Sequence, residues 1–184
     1  MKIILASQSP RRKEILENLG YGFEVVPSGS DEKIKLEEGI DHAIEELAVE
    51  KAKEVRKRFP DDCIVAADTV VVLDGRILGK PASKQDAIDV LVDLSGRAHE
   101  VKTGVCISLP NSDISFCETT HVHFRNLEGQ EILDYVGSGK CMDKAGSYGI
   151  QECDFVQKIE GSYTNVVGLP DAKTDRILRK IINR

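Results

Sequence analysis

At 184 residues with 41% hydrophobic content, the chain is long enough for a single well-cored domain of one or two lobes. A formal net charge of −6 and a pI near 5.3 argue against a sequence-independent nucleic-acid binder, which needs a basic face to neutralise phosphates, yet leave room for a local basic pocket. The five cysteines are scattered at 63, 106, 117, 141 and 153 with no C-x-x-C pair, against both a disulfide framework and a thiolate zinc site and in keeping with a reducing compartment.

The first apolar run, Ile3-Ile4-Leu5-Ala6, is too short for the apolar region of a signal peptide, and no stretch reaches membrane-spanning length. A soluble, cytoplasmic protein with no membrane partner is expected. The run reads as a strand, followed by a tight turn and a helix start, with Ser9 as N-cap and Pro10 at the first helical position. Arg11, Arg12 and Lys13 then place three cations at the positive end of the helix dipole, unfavourable by about 0.3–1 kcal/mol each at an exposed site. Either this is a solvated basic turn, or an anion sits over it, held by backbone N–H groups, the Ser7 hydroxyl and the two guanidinium forks.

Residues 22–26 read as a second strand and 27–33 as a polar loop. Residues 40–59 carry a helical apolar stripe of Ile40, Ile44, Leu47, Ala48, Val55 and Phe59, with Lys51 on the buried side. That lysine either snorkels along apolar surface or reaches an anion at the end of the core. Residues 63–73 form a long β-branched run suited to a central strand buried on both faces, and Asp68 interrupts it. A carboxylate in such surroundings must be paired, hydrogen-bonded or metal-bound, so Asp68 is a structural ion pair or a site residue. Asp74-Gly75 signals a two-residue hairpin that sets Leu73 opposite Arg76 and, carried back, brings Lys80 level with Thr69, near Asp68. Gly79-Lys80-Pro81 ends that strand.

Ser83-Lys84-Gln85-Asp86 resembles a capping box and opens a helix that Ser95-Gly96 closes. Residues 100–109 and 114–124 alternate as the strands of an antiparallel hairpin around 110–113. His121 and His123 share a face of the second strand; with no third ligand nearby they read as solvent-facing rather than metal-binding. Residues 127–136 read as a helix, 142–151 as a site-forming loop rather than a core element, and 155–159 with 162–167 as a short hairpin or turn about Glu160-Gly161. Residues 171–182 close the chain as a basic helix, and no repeat or low-complexity linker is present.

Leu5-Ala6-Ser7-x-Ser9-Pro10-Arg11-Arg12, Glu50-Lys51-Ala52, Ala67-Asp68-Thr69, Gly79-Lys80-Pro81, Leu94-Ser95-Gly96, Asp143-Lys144-Ala145-Gly146 and Gly168-Leu169-Pro170 together resemble the Maf family of nucleoside triphosphate pyrophosphatases. The resemblance is near full length and implies one domain over residues 1–184. It implies an α/β fold similar to that of the inosine triphosphate pyrophosphatases: a mixed central sheet flanked by helices, in two lobes with a cleft. It also implies hydrolysis of a nucleoside triphosphate to the monophosphate and pyrophosphate. Ser7, Arg12, Lys51 and Lys80 would bind the phosphates. Asp68 would be the general base acting on the attacking water, and Glu32 with Asp68 would bind a divalent cation, Mg²⁺ or Mn²⁺. The branch that prefers dTTP and UTP is similar to this chain at Arg11, Thr69 and Gln151. Gln151 offers the donor and acceptor that a uracil or thymine edge needs, whereas a positively charged methylated purine would prefer an acidic partner. The alternatives are a pyrophosphatase for a modified purine such as 7-methylguanosine triphosphate and a nucleotide-binding regulator of cell division without turnover. Glu152-Cys153-Asp154 departs from a segment often glycine-rich in relatives, and a homodimer is expected from the resemblance.

Overall fold

The computed structural model describes residues 1–29 and 34–182. Strand β1 (Ile3–Leu5) is wholly buried, and it pairs in parallel with β2 (Phe23–Val25) on one side and with β3 (Cys63–Leu73) on the other. Helix α1 (Pro10–Asn18) joins β1 to β2, and α2 (Ile40–Arg56) lies between β2 and β3 in the chain. The chain therefore leaves β1 towards one side for β2, then crosses back over β1 to place β3 on its other side. Such a reversal of strand order opens a crevice at the carboxyl ends of the two strands that flank it, here β1 and β3.

The hairpin after β3 forms as its turn residues require. Asp74 (φ 51°) and Gly75 (φ 73°) both occupy the left-handed region, and Leu73 faces Arg76 at the start of β4 (Arg76–Leu78). Helix α3 (Lys84–Leu94) follows, capped by Ser83, whose hydroxyl accepts from the Asp86 N–H, while the Asp86 carboxylate reaches back to the Ala82 N–H. The long strands β5 (Ala98–Leu109) and β6 (Ser112–Phe124) are adjacent in the sheet, and β7 (Val156–Glu160) pairs antiparallel with β6. The result is a mixed seven-stranded sheet in the order β2-β1-β3-β5-β6-β7, with β4 paired on β3. Helices α4 (Gly129–Gly137), α5 (Tyr163–Val167) and α6 (Asp171–Ile182) complete the elements.

The chain divides into two compact units. The first holds Met1–Asp68, Thr103–Glu118 and Gly168–Arg184; the second holds Thr69–Lys102 and Thr119–Val167. In the first, Ile4, Ala6, Ile64, Ala66 and Cys106 from the strands pack with Ala48, Ala52 and Val55 from α2. In the second, Val71, Leu73, Val101, Val122 and Phe124 pack with Leu91 and Leu94 of α3, Ile132 and Val136 of α4, and Tyr148 and Phe155. Residues 162–167 are not the second arm of a hairpin. Ser162 caps a five-residue helix by accepting the Asn165 N–H, and the Thr120 hydroxyl both accepts the Ser162 N–H and donates to its carbonyl.

Candidate active site

The turn between β1 and α1 is built as a cradle. The Ser9 hydroxyl accepts the Arg12 N–H and so caps α1, and the Ser7 hydroxyl accepts the Ser9 N–H at 3.1 Å. Arg12 folds back over this turn: its Nη1 donates to Ser7 Oγ at 3.3 Å and its Nε to the Gly168 carbonyl at 2.7 Å. Gly168 sits at φ 134°, a backbone state that only glycine adopts readily, so its identity follows from the need to aim that carbonyl. Arg11 is half-buried beside Arg12, and Lys13 turns outward to pair with Glu17.

Asp68 arrives from the other strand of the reversal. Side chains alternate along β3, so Asp68 shares the face of Ile64 and Ala66, which α2 covers. On α2, Lys51 belongs to the buried stripe of Ile44, Leu47, Ala48 and Val55, and its ammonium donates to Asp68 Oδ1 at 2.5 Å. The anion that Lys51 reaches is thus the Asp68 carboxylate. The pair is not sealed: 10% of the lysine side chain and 13% of the aspartate side chain remain exposed. The β1–β3 register, in which Leu5 lies beside Val65, carries Ser7 level with Ala67. The Ser7–Arg12 turn and the Lys51–Asp68 pair consequently occupy the same end of the parallel strands.

The remaining sequence candidates lie in the second unit, except Glu32, which lies outside the described residues. Thr69 follows Asp68 directly on β3 and is half-buried. Lys80 is exposed, and the register sets it level with Thr69 as expected, but the ladder stops at Leu78, so Lys80 stands on a loop rather than across a strand. The cation held against Asp68 is Lys51, not Lys80, because helix α2 rather than the hairpin covers that face. The Gly79 carbonyl accepts the Gly146 N–H, which ties the Lys80 loop to the short 3₁₀ turn Ala145–Ser147. Gly146 has φ 69° and lies where a Cβ would come within 2.6 Å of Val71 Cγ2, so this loop packs directly on β3. Gln151 is exposed at the tip of the turn closed by the Glu152 N–H donating to the Gly149 carbonyl at 2.9 Å.

The segment 142–151 is more of a core element than its composition suggests. Lys144, Gly146, Ser147 and Tyr148 are buried, and Tyr148 hydrogen-bonds His99 at 2.7 Å inside an edge-on aromatic cluster with Phe124. His121 and His123 are oriented outward as read, each 3.4 Å from a glutamate, Glu100 and Glu160 respectively. Among the described residues no group of three or more His, Cys, Asp or Glu side chains gathers to hold a metal ion. No helix among them is long and apolar enough to cross a membrane, and their five cysteines are all free.

The model of the Maf-like protein family matches residues 2–181. The chain belongs to the Maf family. Among curated relatives it is 45% identical over 182 residues to the dTTP/UTP pyrophosphatase of Geobacillus sp. (strain WCH70), covering 98% of each chain. It is 49% identical over 180 residues to the dTTP/UTP pyrophosphatase of Thermosipho africanus, covering 97% of this chain and 92% of that one. Among solved structures, a nucleoside-triphosphatase / dITP/XTP pyrophosphatase from Mycobacterium abscessus is similar with a TM-score of 0.45 at 21% identity, over 69% of this chain and 76% of that chain. The part of Gly168 in this Maf protein, as acceptor for Arg12, is one that the sequence marks only by placing Gly168-Leu169-Pro170 among the segments that carry the family resemblance.

Proposed function

We propose that this chain hydrolyses nucleoside triphosphates, dTTP and UTP foremost, to the monophosphate and pyrophosphate. The observation that carries the proposal is the placement of the Arg12-clamped turn and the Lys51–Asp68 pair at the same end of the parallel strands β1 and β3, in a chain whose full-length relatives are named for that activity. The polyphosphate lies against the N-terminal turn of α1, where backbone N–H groups, Ser7 and Arg12 meet it, and Lys80 adds a second cation. Asp68 takes the proton from a water whose oxygen attacks the α-phosphorus; the new P–O bond forms as the α–β bridge bond breaks, and pyrophosphate leaves with that bond's electron pair. Lys51 holds the carboxylate in place and balances its charge among apolar neighbours.

A divalent cation fits the donor chemistry. Mg²⁺ and Mn²⁺ take oxygen ligands, and Mg²⁺ is commonly held by one or two carboxylates with the rest of its shell from water and substrate phosphates, so Asp68, through the oxygen that Lys51 leaves open, and Glu32 would hold it. When bound, the cation neutralises charge on the phosphate oxygens. Arg11, Thr69 and Gln151 select the base, Gln151 by offering one donor and one acceptor to a pyrimidine edge. A homodimer in the cytoplasm belongs to the same reading, supported by the family resemblance and the free thiols.

The test is a panel of canonical and modified triphosphates supplied with Mg²⁺ or Mn²⁺, with products separated by ion-exchange chromatography. The expected result is dTMP and UMP with pyrophosphate, in preference to the purine nucleotides. Release of orthophosphate, or no turnover with any nucleotide, overturns the proposal.

A further inference from the structure

We infer that Lys144 and Glu152 form a positioning pair that holds Gln151 in the conformation needed to choose a uracil or thymine base over cytosine, an inference that rests on the function proposed above. Lys144 is 6% exposed, yet nothing in that function uses it. Its ammonium has three donors and meets three acceptors: Glu152 Oε2 at 2.8 Å, Asp143 Oδ1 at 3.0 Å and the Lys140 carbonyl. A lysine so buried and so fully satisfied fixes whatever it holds, since releasing any one acceptor leaves a buried N–H without a partner.

What it holds is the turn that presents Gln151. Residues 149–152 form a tight turn with Gln151 at its third position, and Glu152, next along the chain, is drawn inward by Lys144 with 35% of its side chain exposed. The other end of the turn is clamped as well, the Gly149 N–H donating to the Tyr135 hydroxyl at 3.0 Å and the Gly149 carbonyl accepting from Cys153 Sγ. Glycine is needed at 149 for the lysine to pass, because a Cβ there would come within 2.6 Å of Lys144 Cε and 3.2 Å of Glu152 Oε2. Lysine stem, turn and glutamate are thus one packed unit, and Gln151 is its exposed residue.

The experiment compares kcat and KM for dTTP and dCTP in the wild type, Glu152→Ala, Lys144→Met, Gln151→Ala and the double variant Glu152→Ala/Gln151→Ala, with thermal melting confirming that each is folded. Loss of the Glu152 charge alone would change the attraction for every triphosphate equally and leave the dTTP/dCTP ratio of kcat/KM untouched. The expected result is a fall in that ratio of fivefold or more in Glu152→Ala and Lys144→Met, carried by KM for dTTP rather than by kcat. Adding Gln151→Ala to Glu152→Ala is expected to lower the ratio no further. Should either single variant fail to fold, the other carries the same expectation. A ratio within twofold of wild type in a folded variant, or losses that multiply in the double variant, overturns the positioning role while the proposed function stands. A wild type that hydrolyses no triphosphate overturns that function instead.

Discussion

Lys51 and Asp68 meet because two different periodicities converge on one face. The helical stripe of α2 turns residue 51 inward with Leu47, Ala48 and Val55, and the two-residue alternation of β3 turns residue 68 to the same side as Ile64 and Ala66. Each inward direction was legible in the sequence; their pairing was not, because nothing local to either segment says which helix will lie over which strand face. The hairpin geometry pointed to Lys80 as a cation near Asp68, and its register was correct, but Gly79 and Pro81 end the ladder before residue 80. Asp68→Asn keeps the shape of the site and can still accept from Lys51, but cannot take a proton from water. Turnover of dTTP is expected to fall by about 10²–10⁴-fold, the usual worth of a general base, while nucleotide binding measured by calorimetry is retained or tightened as a negative charge beside the phosphates is lost. Unchanged turnover would remove Asp68 from the mechanism. At the base-selecting end, Gln151→Glu loses the amide donor and adds a charge that suits a cationic purine. It is expected to shift the kcat/KM ratio of dTTP over 7-methylguanosine triphosphate downward by tenfold or more, and an unmoved ratio would count against base selection by Gln151.

At the scale of elements, what positions Lys51 is the close approach of α2 to β5. A Cβ at Gly104 would fall 2.3 Å from the Ile44 carbonyl oxygen and 2.8 Å from the Glu45 nitrogen, so α2 lies directly on the strand backbone at this point. Helix backbone cannot step aside as a flexible side chain can. Gly104→Ala is therefore expected to cost about 3 kcal/mol, the upper part of the usual range for overpacking, and to lower the melting temperature by about 10 °C. Because α2 carries Lys51, kcat is expected to fall with it. The control is Gly137→Ala at the end of α4, where a Cβ meets nothing within 4 Å; it is expected to be neutral or to stabilise by about 0.5–1 kcal/mol in thermal melts. Element boundaries carried by capping and by turn chemistry were the legible ones: Ser9 with Pro10, Asp74-Gly75, and Asp171–Ile182. Residues 162–167 misled because Tyr163, Thr164, Val166 and Val167 favour strands, whereas the caps supplied by Ser162 and the distant Thr120 decide for a helix.

For the molecule as a whole, the element order was readable but the sheet order was not, since pairing of β3 beside β1 and of β7 on β6 is fixed by burial across long stretches of chain. The same burial writes a pH dependence into folding. His99 on β5 lies edge-on to Phe124 at 5.0 Å and to Tyr148 at 5.4 Å, and its Nδ1 has no hydrogen-bond partner among the described residues. Burial, with a smaller contribution from the nearby His123, lowers its pKa from 6.5 to about 4. In the unfolded chain His99 takes up a proton near pH 6.5, whereas in the folded protein it does so only near pH 4. Between those values the unfolded state holds the extra proton, so stability falls as the pH drops through this window and is unaffected by this group above it. The full effect is about 3 kcal/mol, complete near pH 4. His99→Phe retains an aromatic ring but has nothing to titrate, and at neutral pH it pays for the lost Tyr148 hydrogen bond with about 1 kcal/mol. Urea denaturation of both proteins at pH 7.5 and pH 4 isolates the contribution of His99, because the groups common to both proteins cancel in the difference. The wild type is expected to lose about 3 kcal/mol more than His99→Phe on acidification, reversing their order of stability, and parallel losses in the two proteins would show that the buried imidazole does not set the acid limit of the fold.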